Sequence, residues 1–262
     1  MAPSNAAFVE THTPAPLATM LRVTGDFHSL RSAPWVVGLP EHMFVVGNLS
    51  ASASVARNAT GGHSLFGVNG SYPDLDMMDL GRLSDFFDTP AADLHAAMWM
   101  MARSPLMYAG ELPITDAHTL DLVTNPLALR INEASADLRV RYSGNCTCKV
   151  HNIAGNACKT PVANDCGAVW WATLGDQTKQ QCLAVAVLNV GDHAKDTEVA
   201  FADIVASDDG GGPTAAEAGH TVTNVYGNSS TVVRGPSFTV TTQGMGAQLL
   251  IVTPEGVAAD DC

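Results

Sequence analysis

The stretch "MLRVTGDFHS", Met20 to Ser29, decides how the chain is read. Leu21-Arg22-Val23-Thr24 alternates apolar and polar residues, the period of a half-buried strand, and Gly25-Asp26 stops the run at once. An aspartate at the mouth of a strand is a turn residue, a helix cap or half of a catalytic pair. Arg22 stands four residues before Asp26, and on a strand residues i and i+4 point to one face, so both side chains would face one cavity. Arginine brings fixed donors for hydroxyl and carboxylate groups, and aspartate brings acid/base capacity. The catalytic reading needs a second carboxylate, and Asp74, Asp76 and Glu111 all fall at or just past the ends of later strand-like runs.

Outward from this stretch, residues up to Glu133 alternate short apolar runs with helical segments. After a stretch without clear period, Phe27 to Gly62, whose apolar islands are "PWVVGL" and "MFVVGNL", comes "LFGVNGSYPDLDMM", a short strand leading into acids. "TPAADLHAAMWMMARS" is the clearest helix, with Thr89 as a cap, Pro90 in the first turn and Leu94, Ala97, Met98 and Met101 recurring along it. Its methionines read as core packing. "PLMYAGEL" reads as a further strand, and "TDAHTLDLVTNPLAL" as a helix capped by Thr115 or Asp116 and interrupted at Asn125-Pro126. Strand and helix in alternation predict parallel strands with right-handed crossovers, where the C-terminal strand ends carry the active face. From Ala134 the character changes. "AVWWATL", "QCLAVAVLNV", "TEVAFADI", "TVTNVY", "SFTVTT" and "AQLLIVTP" are short β-type runs separated by turn residues, the pattern of an antiparallel sandwich. "SDDGGGPTAAEAGH" reads as a long flexible loop.

Composition narrows the partners. The chain has 262 residues and a net charge of −13, so no basic stripe exists to displace counterions from nucleic acid, whereas neutral sugars are compatible with an acidic protein. No run of about 18 or more apolar residues is present, which excludes a transmembrane helix. The N-terminal segment shows no recognisable signal peptide, yet the cysteines point to an oxidising compartment. Cys146, Cys148, Cys158 and Cys166 crowd among Gly, Asn and Pro, as in a disulfide-stapled loop, with Cys158–Cys166 as the preferred local pair; Cys182 and Cys262 follow. "CTC" is too tight for a zinc knuckle and no paired histidines follow. Sequons at Asn48, Asn58, Asn69, Asn145 and Asn228 agree with a secretory route.

At these residues the chain resembles the α-galactosidases and α-N-acetylgalactosaminidases of glycoside hydrolase family 27. "MLRVTGDF" is similar to the family's Met-x-Arg-Ile-Ser/Thr-Gly-Asp-Phe segment, and "SYPDLDMMDLG" to its Trp-Asn/Pro-Asp-x-Asp-Met-Leu-x-x-Gly. "LHAAMWMMARSPLMYAGELPITDAHTLDLVTNPLALRINE" is similar to the helix–strand–helix that follows, and the later β-type runs resemble the C-terminal sandwich. The resemblance covers about Met20 to Pro254, with its motifs in the family's order. It implies the last part of a (β/α)8 barrel, about strands six to eight, at residues 20–133, an antiparallel β-sandwich at 134–262, and an irregular segment at 1–19.

By this resemblance Asp26 is the general acid/base, Arg22, Asp76 and Met77 contact the sugar, and Asp74 supports the site loop. The implied activity is retaining hydrolysis of terminal α-galactosyl or α-N-acetylgalactosaminyl groups, with a galactose-terminated oligosaccharide or glycoconjugate as substrate and neither metal nor organic cofactor. A lysosomal, vacuolar or extracellular setting is implied for the whole protein. The family's nucleophile motif, Tyr-x-Asp-x-Lys, has no counterpart, and Tyr72, Ser135 and Ala136 depart from the usual pattern. The expectation is therefore a truncated relative with little catalysis alone and a weakly stabilised barrel part, which a homodimer would help to cover. A non-catalytic carbohydrate-binding or interaction protein of the same fold is the alternative.

Overall fold

The computed structural model describes residues 20–24, 39–50, 72–81, 89–144, 146, 165–175, 182–205 and 219–262. Asp26 and Cys158, and nearly all of the "SDDGGGPTAAEAGH" loop, lie outside them.

β1 (Met20–Arg22) and β2 (Tyr72–Asp74) pair in parallel, with Met20 opposite Tyr72 and Arg22 opposite Asp74. A third parallel contact joins Met78 to Tyr108, the Met78 N–H donating to the Met107 carbonyl at 2.8 Å and the Met78 carbonyl accepting from Ala109 at 3.0 Å. The strand expected over "PLMYAGEL" is thus reduced to one bridge. Pro105 has no N–H to give a ladder, and a 3₁₀ turn, Leu112–Ile114, soon redirects the chain.

Residues 39–50 are helical (α1), although Val45, Val46 and Gly47 are weak helix formers. Burial overrides propensity here: Leu39, Met43 and Val46 are fully inaccessible. Gly47 permits a close approach: an added Cβ would meet the Tyr142 hydroxyl, and the tyrosine would have to shift. α2 (Thr89–Met101) forms where the sequence indicates, with Thr89 already inside it. From Ala91 onward every α2 side chain except Asp93 is buried, so this helix has no solvent face. It lies between the sheet strands β10 and β5 on one side and the helices α3 and α4 on another. α3 (Ala117–Thr124) starts at Asp116, whose carboxylate accepts from the Thr119 N–H at 2.9 Å. Asn125 ends α3 and caps α4 (Pro126–Ala134), accepting from Leu127 and Ala128, with Pro126 at the first helical position.

The chain then enters β3 (Ser135–Ser143), β4 (Gly167–Leu174), β5 (Cys182–Asn189), β6 (Lys195–Ala200), the one-turn α5 (Phe201–Ile204), β7 (His220–Asn224), β8 (Ser229–Val233), β9 (Ser237–Thr242) and β10 (Gly246–Pro254). Six strands form one antiparallel sheet in the order β3-β4-β5-β10-β7-β8, and β6 and β9 pair separately. All eight residues of β5 are buried because both faces of the central sheet are covered. Leu183, Val185 and Val187 join Val199, Phe201 and Val240 in a core between the sheets. Ala184 and Ala186 face the other way, into a core shared with α2. Alternating valine with alanine lets a bulky Met- and Trp-rich helix approach one face while the other packs strand on strand. The helices and the large sheet therefore share one continuous core.

Cys166 is bonded to Cys146, with Cα atoms 4.8 Å apart, and Cys182 to Cys262. This corrects the expected Cys158–Cys166 pair. The β3–β4 register sets Ser143 opposite Gly167, which carries Cys146 and Cys166, just outside those strands, to the same place. Loop spacing could not anticipate that, because β3 was not among the runs read as strands. The two disulfides fit an oxidising, secretory environment.

Candidate active site

The two short parallel strands end side by side at Arg22 and Asp74. Asp74 is buried, and each of its ends is used: its carbonyl accepts the Val23 N–H at 3.0 Å, and its Oδ1 accepts the Asp76 N–H at 2.8 Å. That second bond is an Asx turn, in which an aspartate folds the chain two residues on. It delivers Asp76 in the left-handed region, φ 85°, where a side chain other than glycine is strained.

Several groups hold Asp76 there. Its carbonyl accepts from the Trp99 indole N–H at 2.9 Å, and its carboxylate forms an ion pair with the Arg22 guanidinium. The Arg22 and Asp76 side chains are 20% and 8% exposed, so the pair is largely desolvated but opens at one edge. Met77, the next residue, is 45% exposed, an apolar surface beside a polar pair. The intervening Leu75 is pinned at both ends: its N–H donates to the Ser104 hydroxyl at 3.0 Å, and its carbonyl pairs with His42 Nε2 at 2.9 Å. Two further buried oxygens at these strand ends, Thr24 Oγ1 and Asp79 Oδ1, make no hydrogen bond among the described residues.

Behind the strand ends lies an aromatic layer. Trp99 is fully buried, stacks on His42 at 5.2 Å and meets His95 at 4.0 Å. Burial, with a smaller contribution from His42, holds the His95 imidazole well below its ordinary pKa, so it packs as a neutral ring. Arg103 braces the same region. α2 ends in a Schellman motif, Arg103 donating to Met100 and Ser104 to Trp99, and Arg103 occupies the left-handed position at φ 55°. Glycine is usual there. Here the guanidinium donates to the carbonyls of Asn132, Glu133 and Ser135 at the end of α4 and stacks over the Tyr72 ring at 5.3 Å. It thereby satisfies helix-end carbonyls and ties β2 to the helix–sheet junction.

Of the residues singled out in the sequence, Arg22, Asp74, Asp76 and Met77 converge at one place, whereas Asp26 lies outside the described residues and Glu111 lies on the exposed segment leading into the 3₁₀ turn. His42, Trp99, Arg103 and Ser104 were not read as site supports. Trp99 carried a signal, since a buried indole needs an acceptor for its N–H. His42, inside an apolar island, carried none. Among the described residues no cluster of three or more His, Cys, Asp or Glu side chains could hold a metal ion.

Comparisons with known proteins bear on the fold. An α-galactosidase D from Emericella nidulans is 32% identical over 82 residues, 30% of this chain and 12% of that protein. A glycoside hydrolase family 27 β-L-arabinopyranosidase from Geobacillus stearothermophilus superposes with a TM-score of 0.64 at 20% identity, over 92% of this chain and 46% of that one. This chain shares the fold of that family 27 enzyme over nearly all of its own length. α-Galactosidase I from Mortierella vinacea also superposes at TM-score 0.64, with 15% identity, 95% of this chain and 55% of its own. For the Saccharomyces cerevisiae α-galactosidase solved with raffinose the values are 0.58, 14%, 91% and 60%. At those identities the solved structures speak for the fold. No family model matches the sequence. The chain spans about half the length of these solved relatives and an eighth of the curated one.

Proposed function

We propose that this chain carries part of a sugar site for terminal α-galactosyl or α-N-acetylgalactosaminyl groups, and that its chemistry is that of a retaining glycoside hydrolase. The observation that carries the reading is the Arg22–Asp76 ion pair at the ends of neighbouring parallel strands, with Met77 exposed beside it. An arginine and a carboxylate at an opening offer donors and acceptors in fixed positions to vicinal hydroxyls, and a neighbouring apolar side chain suits the C–H face of a pyranose. In this reading the parallel strands correspond to about strands six to eight of a (β/α)8 barrel, Asp74 holds the loop, and residues 134–262 form the C-terminal sandwich domain.

Asp26, four residues past Arg22, acts as the general acid/base: it protonates the leaving oxygen and later activates water. Retaining hydrolysis needs a second carboxylate as nucleophile, about 5 Å away, and the motif that carries it in the family is not in this sequence. The isolated chain is therefore expected to bind the sugar and to turn over slowly or not at all. Titration of the chain with galactose, followed by NMR, tests the binding. Saturable binding weakened at least about tenfold by Asp76→Asn is the expected result, a loss in keeping with removal of a charged hydrogen-bond partner. A folded chain that fails to bind either sugar would overturn the reading. With an aryl α-galactoside, any turnover should vanish in Asp26→Asn, and turnover that survives it would remove Asp26 from the mechanism.

A further inference from the structure

We propose that Asn228 is an N-glycosylation site whose glycan guards the β8 edge of the six-stranded sheet, an outer edge among the described residues. This inference is independent of the hydrolase reading and needs only passage through a secretory compartment.

The two outer strands of the sheet are unlike. β3, at one end, carries Asp137, Arg139 and Arg141, has a register break between Ala136 and Arg139, and is tied down by the Arg141–Asp203 ion pair. Charges and bulges are ordinary means of keeping an edge from pairing with another chain. β8, at the other end, reads Ser-Ser-Thr-Val-Val. Its first four residues are exposed, Val232 to 47%, and it contains neither charge, proline nor bulge. An uncharged, β-branched, regularly paired edge is the kind that adds a strand from a neighbour.

Asn228 stands at the entrance to that edge. It is the last residue of the Val225–Asn228 turn, is exposed, has φ 44°, and its carboxamide makes no hydrogen bond among the described residues. Asn228-Ser229-Ser230 is a complete sequon, and the Ser230 hydroxyl, paired with Thr223 at 2.9 Å, runs along the edge beside it. A turn at the surface is where a glycosylation acceptor is expected. Among the described residues the other sequon is at Asn48, and its setting differs. Asn48 is exposed but helical, between Gly47, packed under Tyr142, and the buried Leu49 and Ser50, whose hydroxyl donates to the Leu138 carbonyl at 2.5 Å. Presenting Asn48 to a transferase means unwinding α1, whereas Asn228 is presented by the fold.

The donor is a lipid diphosphate-linked oligosaccharide. The Asn228 amide nitrogen loses a proton and bonds to the anomeric carbon, while the bond from that carbon to the diphosphate oxygen breaks and the lipid diphosphate leaves with the electron pair. A glycan of several sugars so attached, one residue before β8, fills the space a second strand would need.

The test is secretion of the full chain, with an added leader, from a glycosylating yeast. Enzymatic release in heavy-oxygen water and peptide mapping should find Asn228 converted to labelled aspartate in most molecules. Asn228→Gly, which suits the left-handed backbone, and Ser230→Ala should both lose the modification, and Ser230→Thr should keep it. By size exclusion the folded Asn228→Gly protein should elute as larger species than its glycosylated parent, and adding Val232→Lys should reverse that shift. An unmodified Asn228 in the secreted chain would overturn the site. A modified Asn228 whose Asn228→Gly variant stays the size of the bare parent chain would overturn the guarding role.

Discussion

The sandwich and the strand ends that carry the candidate site are stabilised in opposite ways. The six-stranded sheet has long registers, such as the seven consecutive residue pairs joining β10 to β5, cores on both faces, and both described disulfides attached to it. The parallel strands β1 and β2 are three residues each and rest on side chains borrowed from elsewhere: Trp99, Ser104 and Arg103 at the end of α2, and His42 on α1. The backbone ladder builds the sheet, and individual hydrogen bonds build the site. α2 packs its other side on β10 and β5, and α1 reaches β3 through Ser50 and Phe44, so two helices anchor these strand ends to the sandwich. A geometry made of few bonds is easily tuned, and easily lost.

The largest expected effect is on the sandwich. Replacing Cys182 and Cys262, which close an 80-residue separation, should cost about 4.5 kcal/mol by loop entropy, against about 3.3 for Cys146 and Cys166 at a separation of 20. Urea denaturation of the two double variants measures both. If the ranking reverses, the longer closure does not govern this part of the molecule. Trp99→Phe comes next. Loss of the indole donor leaves the Asp76 carbonyl without that partner and opens a small void, about 2 kcal/mol in total, and sugar binding should fall with it. Undiminished binding at that stability loss would show that the site does not lean on α2.

Asp76 offers a finer cut. At φ 85° glycine is relaxed and alanine is not, so Asp76→Gly should be more stable than Asp76→Ala by about 1 kcal/mol, while both lack the carboxylate and bind sugar equally poorly. Equal stabilities would mean the backbone relaxes once the Arg22 pairing is gone. The smallest effect concerns the cap of α3. Hydrogen bonds from the Thr119 backbone and hydroxyl hold the Asp116 carboxyl below its usual pKa. A depressed folded pKa gives stability that is present above the unfolded value, about 3.9, and lost as pH falls through the folded one. Asp116→Ala should therefore cost about 1 kcal/mol at neutral pH, with the gap to the parent closing in acid. A gap independent of pH would assign the cost to something other than the carboxylate.

Much of this was legible in the chain. The α2 helix, the paired helices meeting at Asn125-Pro126, and most of the sandwich strands follow from period and punctuation, which are local properties. α1 was not legible. "MFVVGNL" carries β-branched residues and a glycine, and it is helical because nearly all of it is buried. β3 and β8 were missed for the opposite reason: both are outer strands, half-buried in β3 and exposed in β8, and lack the apolar run that marks a buried strand.

By itself the sequence determined which residue types stand at the strand ends, Arg22, Asp74, Asp76 and Met77, and their order along the chain. Only the tertiary structure decided that Asp74 turns the chain, that Asp76 meets Arg22 in a strained conformation, that Trp99 holds it there, and that Cys166 bonds to Cys146. Spacing along a chain fixes period and order. Which side chains finally touch depends on strand register and on how a helix buried on every side is wedged between sheet and strands, and those are settled by packing across the whole core.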